Sequence, residues 1–133
     1  MMDNMLELTS EEQFAREVLQ SAPAVVVTFY ADWCGDCKRM CPHLAAIADE
    51  YAGRMKFVRV EDSRRDIEAR YQVHMIPDVL LFYGGKLIHR WVNITDGSAY
   101  RPTFERFLAK NPGPATSPRG DACEIEIKPN DTA

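Results

Sequence analysis

The segment AVVVTFYADWCGDCKRMCPHL, residues 24 to 44, restricts the possible folds more than any other part of the chain. Its first seven residues are β-branched, aromatic or small and almost wholly apolar, the composition of a central strand buried on both faces. Behind that strand, Cys37, Met40, Cys41, Leu44, Ile47, Ala48 and Tyr51 recur at spacings of three and four. This is the apolar face of a long helix, with Pro42 expected to kink it and Gly53 to close it. A cysteine pair, Cys34 and Cys37, therefore sits where a buried strand turns into a helix.

The remaining patterns place that unit in a layered fold. TSEEQFAREVL predicts a helix over about residues 10–20, opened by a Ser10/Gln13 capping box and carrying Phe14 and Val18 on its inner side. MKFVRVE at 55–61 reads as a second strand, after which Asp62 or Ser63 caps a short helix bearing Ile67 and Tyr71. VLLFY at 79–83 and LIHRWV at 87–92 flank Gly84-Gly85-Lys86 as an antiparallel hairpin. A last helix has Pro102 near its start and Phe104, Phe107 and Leu108 inside, and ends before Asn111-Pro112-Gly113-Pro114. The order helix, strand, helix, strand, helix, strand, strand, helix is an α/β fold with a central mixed β-sheet flanked by helices. Residues 1–110 are expected to form this domain. Residues 111–133 are rich in proline, glycine and small polar residues and are expected to be a flexible tail; within it, CEIEIKP at 123–129 alternates like a short edge strand.

At 133 residues the chain is long enough to bury one core without disulfides or metal. A formal net charge of −4 offers no general attraction for nucleic acid or anionic lipid, so neither is an expected partner. The N-terminus meets acidic residues before any apolar run, unlike a secretory signal, and no run of apolar residues is long enough to span a bilayer. A cytoplasmic monomer is expected. Four unevenly spaced cysteines suit reduced thiols better than a disulfide framework.

The chemistry follows from the place of the pair. Free backbone N–H groups and the positive end of the helix dipole stabilise an anion at a helix start, so Cys34 is expected to supply a thiolate. Cys37, one turn deeper, can then attack the mixed disulfide that Cys34 forms and release the target as a thiol. Cys34, Cys37, Cys41 and His43 also make four possible zinc donors, but His43 should point away from the face bearing Cys37 and Cys41, and no metal is expected. Cys41 reads as a small buried apolar residue, with an auxiliary thiol as the alternative; Cys123 reads as incidental, and His74 and His89 as surface or strand residues.

VVVTFYADWCGDCKRMCPHL resembles the active-site segment of the thioredoxin family, whose usual motif is W-C-G-P-C-K, and MIPDVLLFYGGKLIHRW resembles the family's cis-proline strand and the hairpin after it. The similarity spans roughly residues 8 to 110. It implies the thioredoxin fold and a protein-disulfide reductase that uses Cys34 and Cys37, needs no bound cofactor, acts on disulfide-containing proteins, and draws electrons from an NADPH-dependent thioredoxin reductase or an equivalent donor. It also implies a cis Pro77 beside the cysteines, an Ile76 backbone that pairs with an extended target peptide, Trp33 on the rim, and Gly35 and Asp36 in the turn facing the target.

Four departures from the family pattern stand out. Asp36 replaces proline; its carboxylate competes with the thiolate for the same positive field, and the pair is expected to be more reducing than in an Asp36→Pro variant. Thr28 replaces a buried aspartate and Arg59 a nearby lysine, which implies slower resolution by Cys37. The groove glycine is replaced in the Trp91-Val92-Asn93 region, which implies a narrower set of targets. The competing class is a non-enzymatic thioredoxin-fold adaptor whose cysteines no longer turn over.

Overall fold

The computed structural model describes residues 4–62 and 65–111. The apolar run at 24–30 is the middle of a five-stranded mixed sheet of order β1-β3-β2-β4-β5. In it β2 (Ala24–Tyr30) lies parallel to β3 (Met55–Glu61) and antiparallel to β4 (Asp78–Tyr83), and β5 (Lys86–Val92) runs antiparallel to β4. Every residue of β2 is buried, as expected of a strand with helices on both sides.

The edge strand β1 (Leu6–Glu7), parallel to β3, is absent from the order expected from sequence. Two residues are too few to show a period of two, so only the pairing reveals it. The first helix, α1 (Glu11–Phe14), continues as a π-helical stretch over Ala15–Leu19. Its cap also differs from a standard box. Ser10 Oγ accepts the Gln13 N–H at 3.1 Å, but the Gln13 side chain reaches back to the Thr9 N–H at 2.9 Å rather than to that of Ser10.

The long helix is α2 (Gly35–Glu50), with Pro42 inside it; α3 (Arg65–Arg70) and α4 (Arg101–Lys110) complete the layers, and a 3₁₀ turn at Gly97–Ala99 leads into α4. The β4–β5 turn is tighter than expected, because Lys86 already belongs to β5. Gly84 and Gly85 both adopt positive φ, 60° and 80°, as the short hairpin turn requires. Ser63, a proposed cap of α3, lies outside the described residues, as do the tail from residue 112, the strand-like segment at 123–129, and Cys123.

The sheet separates two cores. On one side α2 and α4 pack over Ala24, Val26, Val79, Leu81 and Trp91. Phe104 of α4 lies edge-on to Tyr51, Trp91 and Phe57, with ring centroids 5.3, 5.6 and 6.0 Å apart. Such pairs add about 0.5–1.5 kcal/mol each beyond their buried area. On the other side α1 and α3 cover Val25, Val27, Phe29, Val58, Val60, Leu80 and Phe82. The sheet thus holds the C-terminal end of β2, and the cysteine pair that follows it, against a rigid platform.

Candidate active site

After β2 the chain makes one turn and enters α2. The Cys34 N–H donates to the Ala31 carbonyl at 3.2 Å, and the Cys34 carbonyl accepts the first helical bond, from Lys38 N–H at 3.1 Å. Cys34 is therefore the N-cap, with extended backbone (φ −87°, ψ 118°), and its Sγ accepts the Cys37 N–H at 3.3 Å. Sulfur here takes the place that a serine or aspartate oxygen usually fills, facing the unpaired N–H groups of the first turn. A thiolate at this atom gains from that hydrogen bond and from the helix dipole. Asp36 is also in the first turn, where it is ion-paired with Arg39 one turn on. The guanidinium offsets part of the repulsion that the bare carboxylate would exert on a Cys34 anion.

The two thiols differ in surroundings. Cys34 keeps 8% of its surface exposed, whereas Cys37 has none. Burial, and secondarily the hydrogen bond and charge of Cys34, push the Cys37 thiol up to about 12, with a backbone bond from Ala31 opposing. Cys41 is buried on the same apolar face of α2, and burial raises its thiol as well. All three carry free thiols. His43 is exposed, away from that face, and its Cβ lies against Gly97. Among the described residues no group of three or more His, Cys, Asp and Glu side chains is arranged to hold a metal ion.

The loop before β4 forms the opposite wall. Ile76-Pro77 is a cis peptide bond, and the Ile76 carbonyl lies 3.9 Å from Cys34 Sγ, which can donate to it while protonated. Pro77 is buried and Ile76 half-buried, and beside them Trp33 and Met75 are 73% and 54% exposed. Gly35 is exposed and Asp36 half-buried on the same rim. The structure thus brings the Ile76 carbonyl, from the residue before Pro77, to Cys34, whose chain neighbours are Trp33, Gly35 and Asp36. Met75 is an addition; its place directly before Ile76-Pro77 was the available signal.

The Trp91-Val92-Asn93 segment divides into two roles. Trp91 belongs to the core, donating from Nε1 to the Ala99 carbonyl at 3.2 Å, and is not a groove residue. Asn93 adopts a left-handed backbone (φ 57°) and gives its N–H to the Pro77 carbonyl at 2.7 Å. Asparagine is among the few non-glycine residues that adopt this conformation readily.

Thr28 lies on the same side of the sheet as Val26 and Tyr30, which pack in the core containing Cys37. It is fully buried, and among the described residues its Oγ1 has no hydrogen-bond partner. Arg59 stands opposite Thr28 in the register but turns to the sheet edge, pairing with Glu7 at 2.9 Å. The Tyr30 hydroxyl donates to the same Glu7 at 2.7 Å. The charges beside Thr28 therefore neutralise one another on β1 and β3, and Thr28 itself offers a hydroxyl that is not a base near neutral pH.

The thioredoxin family model matches residues 5–110. Thioredoxin C-2 of Corynebacterium nephridii is 35% identical over 104 residues, 77% of this chain and 93% of that protein. The thioredoxin of Allochromatium vinosum is 40% identical over 86 residues, 64% of this chain and 79% of its own. Among solved structures, mitochondrial thioredoxin 3 from Saccharomyces cerevisiae in its oxidised form superposes with a TM-score of 0.71 at 28% identity, covering 79% of this chain and 97% of that one. The protein is a thiol-disulfide oxidoreductase that reduces protein disulfides by dithiol exchange at Cys34 and Cys37, with disulfide-bearing proteins as substrates and a reductase as donor. A sulfur-capped helix facing an Ile-Pro loop, the mixed five-stranded sheet and these relatives agree: the chain belongs to the thioredoxin family.

Proposed function

We propose that Cys34 is the attacking thiol and Cys37 the resolving thiol, with Trp33, Gly35, Asp36, Ile76 and Pro77 holding the target. One observation carries this division: Cys34 Sγ caps the helix and accepts the Cys37 N–H at 3.3 Å, while Cys37 is fully buried and its thiol is pushed up to about 12. The Cys34 thiolate attacks one sulfur of the target disulfide; the target's S–S bond breaks, a mixed disulfide forms, and the other target sulfur leaves as a thiolate and takes up a proton. Cys37 then gives up its proton and attacks Cys34 Sγ. The mixed disulfide breaks, the second target thiol departs, and Cys34 and Cys37 are left joined. Two electrons have passed to the target. Trp33 and Met75 supply an apolar rim, and the Ile76 backbone pairs with an extended peptide from the target.

Return to the dithiol takes two electrons from an NADPH-dependent thioredoxin reductase or an equivalent donor. A compartment that keeps thiols reduced suits this cycle, and we place the protein in the cytoplasm as a monomer. No helix among the described residues is long and apolar enough to cross a membrane. The working unit is taken as residues 1–110, with 111–133 an appended tail.

Insulin reduction driven by dithiothreitol, followed by trapping with a Cys37→Ser variant, tests the division of labour. The variant should accumulate a stable mixed disulfide through Cys34. Accumulation through Cys41, or none at all while the wild type turns over, would refute it.

A further inference from the structure

The segment from Gln72 to Pro77 joins α3 to β4 and carries Ile76, whose carbonyl faces Cys34. It leaves α3 through Gln72, which has a left-handed backbone (φ 55°). A single guanidinium on β5 ties its two ends together. At the start, Arg90 Nη2 donates to the Tyr71 carbonyl at 2.5 Å. At the finish, Arg90 Nε donates to Asp78 Oδ1 at 3.2 Å, and the same guanidinium is ion-paired with Oδ2, Nη2 lying 3.2 Å from it. Asp78 is the residue after Pro77 and is only 2% exposed.

The chemistry of this pair suits a positioning device. A carboxylate so deeply buried stays charged only if it is matched, and Arg90 supplies a hydrogen bond from Nε and a charge held in a fixed plane. Because that plane also meets the Tyr71 carbonyl, it sets the distance between the two ends of the loop. Lysine has a single mobile ammonium and cannot hold both ends in one geometry. Just after β5, the Asn93 N–H holds the Pro77 carbonyl at 2.7 Å. Asp78 alternates along β4 with Leu80 and Phe82, which face α1 and α3, so the pair lies across the sheet from Cys37. It can therefore affect the height of the Ile76 backbone without touching either sulfur.

We propose that Arg90 and Asp78 are positioning residues of the reductase: their hydrogen-bonded ion pair, extended to the Tyr71 carbonyl, fixes the Ile76 backbone where an extended target peptide pairs with it. This rests on the reading that Cys34 attacks a target held along Ile76. The role differs from stability alone, because it selects between substrates. A protein disulfide needs the Ile76 backbone, whereas a small aromatic disulfide has no peptide to pair with it.

Steady-state kinetics of Arg90→Met, Arg90→Lys and Asp78→Asn, with insulin and with dithiobisnitrobenzoate, test the inference. In Arg90→Met the KM for insulin should rise about tenfold with kcat retained, the pattern of lost binding that is uniform between ground and transition states. Arg90→Lys and Asp78→Asn should move in the same direction by less. Reduction of the small disulfide should be unchanged in all three. If Arg90→Met does not fold, the two milder variants carry the same comparison. An equal loss on both substrates, an unchanged insulin KM in folded variants, or failure of all three to fold would overturn the proposal and leave the pair a stability element. Failure of the underlying reading looks different: turnover of either substrate would then survive Cys34→Ser.

Discussion

Along β2, Ala24, Val26, Thr28 and Tyr30 face α2 and α4, whereas Val25, Val27 and Phe29 face α1 and α3. The first face also holds Cys34, Cys37 and Cys41, the Thr28 hydroxyl, which has no partner among the described residues, and the Glu7–Tyr30–Arg59 cluster at its edge. The second is a core of branched aliphatic and aromatic side chains, bordered by the Asp78–Arg90 pair. One strand therefore serves two purposes by alternation. Its reactive side tolerates polar irregularity where the thiols work, and its apolar side holds the platform still.

Substitutions on the two faces should separate these purposes. The largest effect is expected from Cys34→Ser, which should lower insulin turnover by about a thousandfold or more without unfolding the protein, while Cys41→Ser keeps turnover. Equal losses in both variants would blur the division between a reactive and a packing thiol. On the other face, Phe82 packs on Phe14 and Tyr71, with ring centroids 5.9 and 5.2 Å away. Phe82→Ala should cost about 3–5 kcal/mol in urea unfolding and leave turnover per folded molecule intact. A selective loss of kcat there would break the comparison.

The next effect depends on pH. The Cys37 thiol rises from 9.0 to about 12, chiefly by burial, so the folded dithiol keeps a proton that the unfolded chain releases above about pH 9. Stability from this group is complete below that pH and is lost as pH climbs toward 12. Reduced wild type should lose stability more steeply across this window than Cys37→Ser. The buried Tyr30 and Tyr100, both also raised, contribute to the two proteins alike. Parallel slopes would show that burial of Cys37 does not hold its proton.

Two smaller effects remain. Thr28→Val removes a buried hydroxyl that has no partner among the described residues, and should raise unfolding stability by about 1 kcal/mol. A loss of similar size would mean that the hydroxyl is satisfied in solution. Asp36→Asn should make the pair less reducing, but only by on the order of 10 mV, because Arg39 already answers the carboxylate. Glutathione equilibration reads the shift, and a more reducing variant would reverse the assigned sign.

The parts legible in the sequence are those written in long uniform patterns. The bounds of β2 and β3 and the apolar face of α2 follow from unbroken runs, and Cys34/Cys37 is marked by the strand before it and the helix after it. The strand β1 escaped because its existence depends on Val58 and Arg59, some fifty residues away. Within the Trp91-Val92-Asn93 region, where the groove glycine is read as replaced, Trp91 is core because its indole N–H finds the Ala99 carbonyl and its ring finds Tyr100 and Phe104. The Arg90 fork likewise joins three elements that no local spacing connects.

From its sequence alone this chain has a central strand, a capped helix after it, and two thiols one turn apart. Those properties depend on side-chain shape, alternation and backbone bonding over a few neighbouring residues. The tertiary structure decided that Cys37 is sealed from water while Cys34 keeps an opening, and that the Ile76 carbonyl, 42 residues further on, comes to lie over the Cys34 sulfur. Desolvation and loop placement depend on what distant segments cover, and only the closed fold supplies that cover.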